Sequence, residues 1–392
     1  MSPQPSSKNR REPLYRFGFV LNTTLGNLTR YQNLRKYAER DSEIECSWAP
    51  VSHYTPPDHA TLLRLLPAPL FMRARVLQQA WPVLGRLRDF DAVMVHLFEA
   101  DVLCSLRSYL ARRPLHISST DEAPIVDRSN YPLYPNELAK PVWRQKLRLA
   151  IDHWRARRTD EFIPFSRWVS SVLVNDCGAP PDRVHPIHVG LDLEIWKPRQ
   201  KPPRSPDDRM RILFVGGDFM RKGGELLLDV FRRRFLDRAE LHLVTRQAPD
   251  DLPPHVHVHA EFQPNDERLT KLYGEVDLMV VPTFADIGPL WAFLEAMAMS
   301  IPIIGTKTGA NAELVRHGET GMITEVGDGE GLAVAIEAML GDPAARQRMG
   351  ERGRAIVETE YNAAVNVPRI LATMKRGVER SRSVVRPQSS RA

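Results

Sequence analysis

The chain has 392 residues, more than one ordinary core accommodates, so two domains of roughly 150 to 200 residues with a cleft between them are expected. Its composition, 43% hydrophobic and 26% charged with no apolar run of about 18 residues, is globular and excludes a membrane-spanning helix. The net charge of +6 invites nucleic acid as a partner, but the arginines follow no RNP, zinc-finger or basic-zipper pattern, so a small anionic ligand or a membrane surface fits better.

The first 13 residues are polar and proline-rich with no apolar stretch after their charges, so a disordered tail over 1–13 and a cytoplasmic location are expected. From there YRFGFVLN reads as a strand, LTRYQNLRKYAERD as a helix, DAVMVHLF as a strand, DVLCSLRSYLARR as a helix and PLHISST as a strand. These define a first α/β domain over 14–196. Cys46, Cys104 and Cys177 are odd in number and widely spaced, which argues for thiols in the core and against a disulfide framework or zinc cluster. Residues 197–209, KPRQKPPRSPDDR, read as a linker.

From Arg211 the alternation is regular. RILFVGG, AELHLVT, VHVHAEF, DLMVVPT, IPIIGT and GMITEV read as strands, separated by the helices GGELLLDVFRRRF, DERLTKLYGEV, PLWAFLEAMAMS and NAELVRHG and followed by GEGLAVAIEAMLG. This is a second doubly wound parallel sheet over 210–360. A helix over 361–376 is expected to cross back to the first domain, and a disordered basic tail to follow over 377–392.

In open α/β sheets ligands bind beyond the carboxyl ends of the strands. Three loops of the second domain fit that place. In VGGDFMRKGGELLL, Gly216 and Gly217 end a strand and Arg221 and Lys222 precede a glycine-rich helix start, an arrangement that suits a diphosphate; the plain alternative is a solvated turn. In PTFADIGPLWAFLEAMA, Gly288 and Pro289 open a helix on which Glu295 sits among apolar neighbours. Burying that acid requires donors, and vicinal ribose hydroxyls qualify. In GTKTGANAELV, Gly309 makes the turn and Asn311 is a plausible helix N-cap.

Taken together, RKGG, DLMVVPT and LEAMAMSIPIIGTKTGANAELVRHGETGMI resemble the donor domain of retaining glycosyltransferases of family 4, group 1 transferases with the GT-B fold of two Rossmann-like domains facing a cleft. The resemblance covers nearly all of 211–360, and residues 165–198 resemble the family segment that precedes this domain. It implies a glycosyltransferase that moves a sugar from a nucleotide-diphosphate sugar to an acceptor hydroxyl in glycan, polysaccharide or glycolipid synthesis. No cofactor and no metal are implied. By position, Glu295 matches the ribose-binding glutamate and Lys222 the phosphate-loop lysine. Gly217 stands where an arginine is usual, and Arg221 is the substitute. Glu313 matches the acid of the E-L-V stretch. The first acid of E-x7-E falls on Ile287: either Asp286 fills the role through a one-residue loop change, which is the reading adopted, or one sugar contact is lost.

In the first domain the resemblance places Gly26 in a loop close to the diphosphate, with Asn27 and Arg30 following, and His96 at a strand end. Asp121 stands where many relatives carry a sugar-contacting histidine. His255, His257 and His259 share one face of a strand, and Asp89 and Asp91 imitate a metal-binding pair, but each is better explained without a metal. The stretches 62–88 and 142–158 mix arginines with Leu, Ile and Trp at helical spacing. They read as helices packed on their own domain, with an anionic membrane face as the alternative. Rival functions are a GT-B epimerase or phosphorylase and a non-catalytic binding protein. A nicotinamide dehydrogenase is disfavoured because no G-x-G-x-x-G is present.

Overall fold

The computed structural model describes residues 13–24, 26–52, 68–110, 114–121, 141–199, 208–263, 265–286 and 290–385. Two parallel sheets carry the chain. The first is built from β1 (Tyr15–Asn22), β2 (Ile44–Val51), β3 (Ala92–His96), β4 (Leu115–Thr120) and β5 (Glu161–Pro164) in the order β2-β1-β3-β4-β5. The second holds β6 (Met210–Val215), β7 (Ala239–Val244), β8 (Val256–Val258), β9 (Leu278–Val281), β10 (Ile303–Thr306) and β11 (Gly321–Thr324) in the order β11-β10-β9-β6-β7-β8. Every strand pair is parallel, so the carboxyl ends of each sheet share one edge. The expected doubly wound architecture is therefore present twice. β2 and β5 were not legible: IECSWAPV mixes Glu45, Cys46 and Ser47 with a proline, and EFIP has only four residues.

The period of two in β1 divides the first domain into two layers. Phe17, Phe19 and Leu21 face one core with Leu34 of α1 (Gly26–Ala38), while Val20 faces another with Val76, Ala80 and Leu84 of α2 (Ala68–Leu84). Gly18 lets α2 approach closely, since a Cβ there would lie 2.7 Å from Val83 Cγ1. Cys104 and Cys177 are buried and Cys46 is half-buried, all as free thiols.

The expected break near residue 376 does not occur. The last helix runs from Ala363 to Val385, with Val367, Ile370, Leu371, Met374 and Val378 in the first domain's core. The apolar period carries on past the expected end, and the basic residues are neutralised on the way: Lys375 pairs with Asp41 and Glu43, Arg380 with Glu161 and Arg382 with Asp91. Residues 377–385 are thus helical where disorder was expected; 386–392 lie outside the described residues, as do 1–12 and 200–207.

The domain crossing also lies earlier than the proline-rich linker. Leu191 and Trp196 already belong to the second core, because Trp196 is fully buried against Tyr273 with ring centroids 5.1 Å apart. The chain crosses at Gly190–Leu191 and returns at Tyr361–Ala363. The two crossings are joined by Leu191 N–H to the Tyr361 carbonyl and Ala363 N–H to the Leu191 carbonyl, both 2.8 Å. Gly190 adopts φ of 82°, and a Cβ there would stand 2.1 Å from the Tyr361 carbonyl oxygen. A side chain meets both left-handed strain and a backbone clash, so Gly190→Ala is expected to cost more than about 2 kcal/mol, read as a lower denaturation midpoint.

Candidate active site at the domain seam

The loop after β6 is folded tightly over the end of β9. Gly223, at φ of 77°, lies so near Pro282 that a Cβ would approach its carbonyl oxygen to 2.1 Å, and the Phe284 N–H donates to the Arg221 carbonyl at 2.9 Å. This packing brings Arg221 and Lys222 onto one acid. Lys222 Nζ donates to Asp286 Oδ1 at 2.6 Å, Arg221 Nη1 donates to the same oxygen at 3.0 Å, and the Thr283 hydroxyl donates to Oδ2 at 2.5 Å. Arg221 is further fixed by the Ala285 carbonyl at 2.7 Å and by Asp218 at 3.0 Å. Burial pulls Lys222 below the ordinary lysine range, a shift opposed by Asp286 and furthered by Arg221. Arg221 and Lys222 thus share Asp286, with Asp218 also on Arg221, so both cations are held in place at the strand ends. Gly217 is at the exposed start of this loop. Gly288 lies outside the described residues.

Glu295 lies on the helix Trp291–Ala298, which follows directly in the chain and is buried along nearly its whole length. The carboxyl is only 6% exposed and accepts from the Tyr273 hydroxyl at 2.7 Å, leaving Oε1 for a second donor. Burial raises it to about 7, partly offset by the tyrosine. The residue expected as an N-cap, Asn311, instead reaches sideways: its Oδ1 accepts from Leu290 N–H at 3.1 Å at the start of the Glu295 helix, because its own short helix, Asn311–Leu314, begins with it.

Glu313 takes a role that its spacing did not announce. Its two oxygens accept from the N–H groups of Arg167 (3.1 Å) and Trp168 (2.7 Å), the first residues of the first-domain helix Arg167–Asn175. A carboxylate at a helix N-terminus is favourable, so this acid fastens the domains together where ligand contact was expected.

The facing wall comes from the first domain. Gly26 opens α1 against Trp291, whose Cδ1 would be 2.6 Å from a Cβ at that position. His96 at the end of β3 pairs through Nε2 with Asp121 Oδ1 at 2.8 Å. Burial raises Asp121, but His96 and Arg30 outweigh it and hold the carboxyl below its usual range; His96 is lowered by burial and Arg30. Asp121 is therefore an ionised, partly exposed carboxylate. Sequence reasoning did not single out His188, Phe165, Thr283 or Trp291; Phe165 packs on His188 within the first domain, and His188 meets Trp291 across the seam. His188 lies 5.1 Å from Trp291 between ring centroids.

His257 and His259 stack on His242 of β7 at 5.0 and 5.4 Å, while Asp91 accepts from Arg16 N–H and pairs with Arg382. Among the described residues no group of three His, Cys, Asp or Glu could hold a metal ion.

Glu295 carries a signature that titration reveals. Between its ordinary value of 4.5 and about 7 the folded chain holds a proton that the unfolded chain has released, so stability falls as pH rises through that window. Glu295→Gln keeps an acceptor for Tyr273 without the titration. Relative to this variant, wild type is expected to lose on the order of 3 kcal/mol between acid and mildly alkaline pH; parallel curves would show that burial does not tune Glu295.

Residues 209–342 match the family profile described as glycosyl transferases group 1. Among curated proteins, the chain is 28% identical over 210 residues to the MMP α-(1→4)-mannosyltransferase of Mycolicibacterium hassiacum, covering 51% of this chain and 50% of that one. It is 29% identical over 234 residues to D-inositol 3-phosphate glycosyltransferase 1 of Catenulispora acidiphila, covering 52% and 54%. The chain thus spans about half the length of the curated relatives it matches. Among solved structures, the sucrose-phosphate synthase of Thermosynechococcus elongatus superposes with a TM-score of 0.71 at 16% identity, covering 94% of this chain and 99% of that one. Anabaena HepE in complex with UDP and glucose superposes at 0.64 with 18% identity, covering 92% and 100%. Residues 209–342 thus match group 1 glycosyl transferases, within a chain whose two parallel-sheet domains have the GT-B fold.

Proposed function

We propose that the chain transfers a sugar from a nucleotide-diphosphate sugar to an acceptor hydroxyl, with retention at the anomeric carbon and without a metal. The observation that carries this reading is the pair of cations, Arg221 and Lys222, gathered on Asp286 at the strand ends of the second sheet. The difficult step is departure of the diphosphate as the sugar becomes oxocarbenium-like. Preorganised cations stabilise the charge that develops on the leaving oxygen, and they need no reorganisation because Asp286 and Thr283 already hold them. Asp286 acts through the cations, since three hydrogen bonds occupy most of its roughly four acceptor positions. Glu295 Oε1 is assigned to the ribose and Asp121 to hydroxyls of the transferred sugar. The leaving phosphate can accept the acceptor proton on the same face, so no strong base is required.

The names of the relatives favour glycan and polysaccharide synthesis: a mannosyltransferase and an inositol-phosphate glycosyltransferase are among them, and HepE was solved with UDP and glucose. We further propose peripheral contact with an anionic membrane, on the cytoplasmic side. No helix among the described residues is long and apolar enough to cross a membrane. The helices Ala68–Leu84 and Val142–Ala156 nevertheless leave Trp81 61% and Trp143 60% exposed, with Leu147 also exposed beside Arg144, Lys146 and Arg148. Aromatic and aliphatic groups beside cations suit the headgroup region.

Two measurements test these readings. In a thermal-shift panel of UDP, GDP, ADP and dTDP, at least one nucleotide is expected to raise the midpoint, and Lys222→Ala to lower turnover about 100-fold or more. Nucleotide binding without acceptor-dependent release of nucleotide would support the non-catalytic alternative. In flotation with phosphatidylglycerol and phosphatidylcholine vesicles, the protein is expected to follow the anionic lipid, and the double variant Trp143→Ala, Leu147→Ala to lose most of that binding.

A further inference from the structure

Phe165, directly after β5, is a hub at the carboxyl edge of the first sheet. The guanidinium carbon of Arg30 lies 4.2 Å from its ring centroid, and the rings of His96 and His188 lie 5.2 and 5.6 Å from it. Arg30 is 1% exposed and His188 5%, so both are withdrawn from water. Arg30 has one hydrogen bond, from Nη2 to the Ser119 hydroxyl at 2.7 Å; its Nε and Nη1 have no partner. His188 Nδ1 accepts from the Gly190 N–H at 2.8 Å, which puts the ring proton on Nε2, and Nε2 has no partner either. Asp121, whose charge Arg30 feels, accepts a hydrogen bond from His96 and none from Arg30. Buried N–H donors are nearly always satisfied in folded proteins. Here a cation and a neutral imidazole present such donors around one ring with no acceptor supplied among the described residues.

We propose that Arg30 and His188 form a recognition site for an anionic group, a carboxylate or a phosphate, carried by the acceptor. The assignment to the acceptor rests on the glycosyltransferase reading. The donor's diphosphate has its own cations, Arg221 and Lys222 on the second domain, whereas Arg30 and His188 line the first. The unpartnered Nε and Nη1 let the planar guanidinium donate to an anion from either of its edges, and the imidazole N–H adds a neutral donor. Trp291 abuts both Gly26 and His188 from the opposite domain, so the site lies beneath the seam and is reached when the domains part. Burial brings Arg30 down to about 9, offset in part by Asp121, which is the electrostatic mark of a cation whose counter-charge is incomplete.

The test uses the full chain saturated with the nucleoside diphosphate that stabilises it most. Glucose 6-phosphate, glucuronate and glucose are titrated calorimetrically against wild type, Arg30→Met, Arg30→Lys and His188→Gln. At least one charged sugar is expected to bind about ten-fold or more tightly than glucose. Arg30→Met should abolish that preference, Arg30→Lys should keep part of it, and His188→Gln should reduce it. Nucleotide affinity should stay within about two-fold in each variant. Because an unpaired buried cation contributes little to the empty fold, Arg30→Met should also melt no lower than wild type. The proposal is overturned if wild type binds the charged sugars no better than glucose, if Arg30→Met retains the preference, or if Arg30→Met unfolds at a lower temperature, which would mark Arg30 as structural. Failure of every nucleotide to bind would strike the glycosyltransferase reading instead, and the charged-sugar titration on the nucleotide-free chain would still decide whether the anion site exists.

Discussion

The fastening of Gly190–Leu191 to Tyr361–Ala363 is the constraint on which the molecule's working surfaces depend. Two short crossings, locked by a pair of backbone hydrogen bonds, hold two independent cores beside each other. A side chain at Gly190 would collide with the opposing backbone, so the approach is as close as polypeptide allows. Asn33 reinforces it by donating to the Gly190 carbonyl, and Asn366 by bridging the carbonyls of His188 and Glu360. Because all strands within each sheet are parallel, fixing the crossings also fixes which sheet edges meet. Gly26, His188 and Trp291 touch as a consequence, and Glu313 reaches the first-domain helix start at Arg167.

Charge is paired differently on the two sides of this seam. On the second domain Asp286 serves both cations and Asp218 also pairs with Arg221, and on the first an ionised Asp121 is braced by His96 while Arg30, bonded to Ser119, has no carboxylate hydrogen-bonded to it among the described residues. Cations and carboxylates are therefore matched in number on each wall, but the guanidinium of Arg30 keeps N–H groups without an acceptor. An anion brought to those N–H groups would meet them in low-dielectric surroundings, where the contact is stronger than it would be in water. The basic balance of the whole chain, which at first sight pointed toward nucleic acid, is divided instead between this cleft, the exposed helices of the first domain, and ion pairs that pin the last helix.

Much of the fold was legible because parallel strands buried on both faces, such as RILFVGG and DLMVVPT, announce themselves as apolar runs. The two cations on Asp286 were legible for a local reason: Arg221 and Lys222 sit in a glycine loop at a strand end. What was not legible depends on tertiary partners. Glu313 and Asn311 belong to a readable turn, yet their side chains act on segments far along the chain, and no spacing encodes that. His188 carries no pattern at all; its place follows from Phe165, Trp291 and Tyr361 closing around it. The last helix outran its expected end for a similar reason, since arginines that look solvating in isolation are matched by Glu161 and Asp91 on the sheet.

The displaced first acid shows how a departure from a family pattern can be absorbed. Asp286 is one methylene shorter than glutamate and one position earlier than E-x7-E demands, which sets its carboxylate directly beside the loop after β6. There Oδ1 receives both cations and Oδ2 receives Thr283, while Thr283 is held through its own carbonyl by Thr306 of β10. An acid so occupied has little capacity left for a sugar hydroxyl. Under the proposed reaction the acid therefore orients the cations instead of touching the substrate, and Asp121, an ionised carboxylate that keeps part of its surface exposed, is the acid assigned to the transferred sugar. The same exchange explains why Lys222, though pulled down by burial, remains close to a counter-charge and can meet a phosphate as a cation.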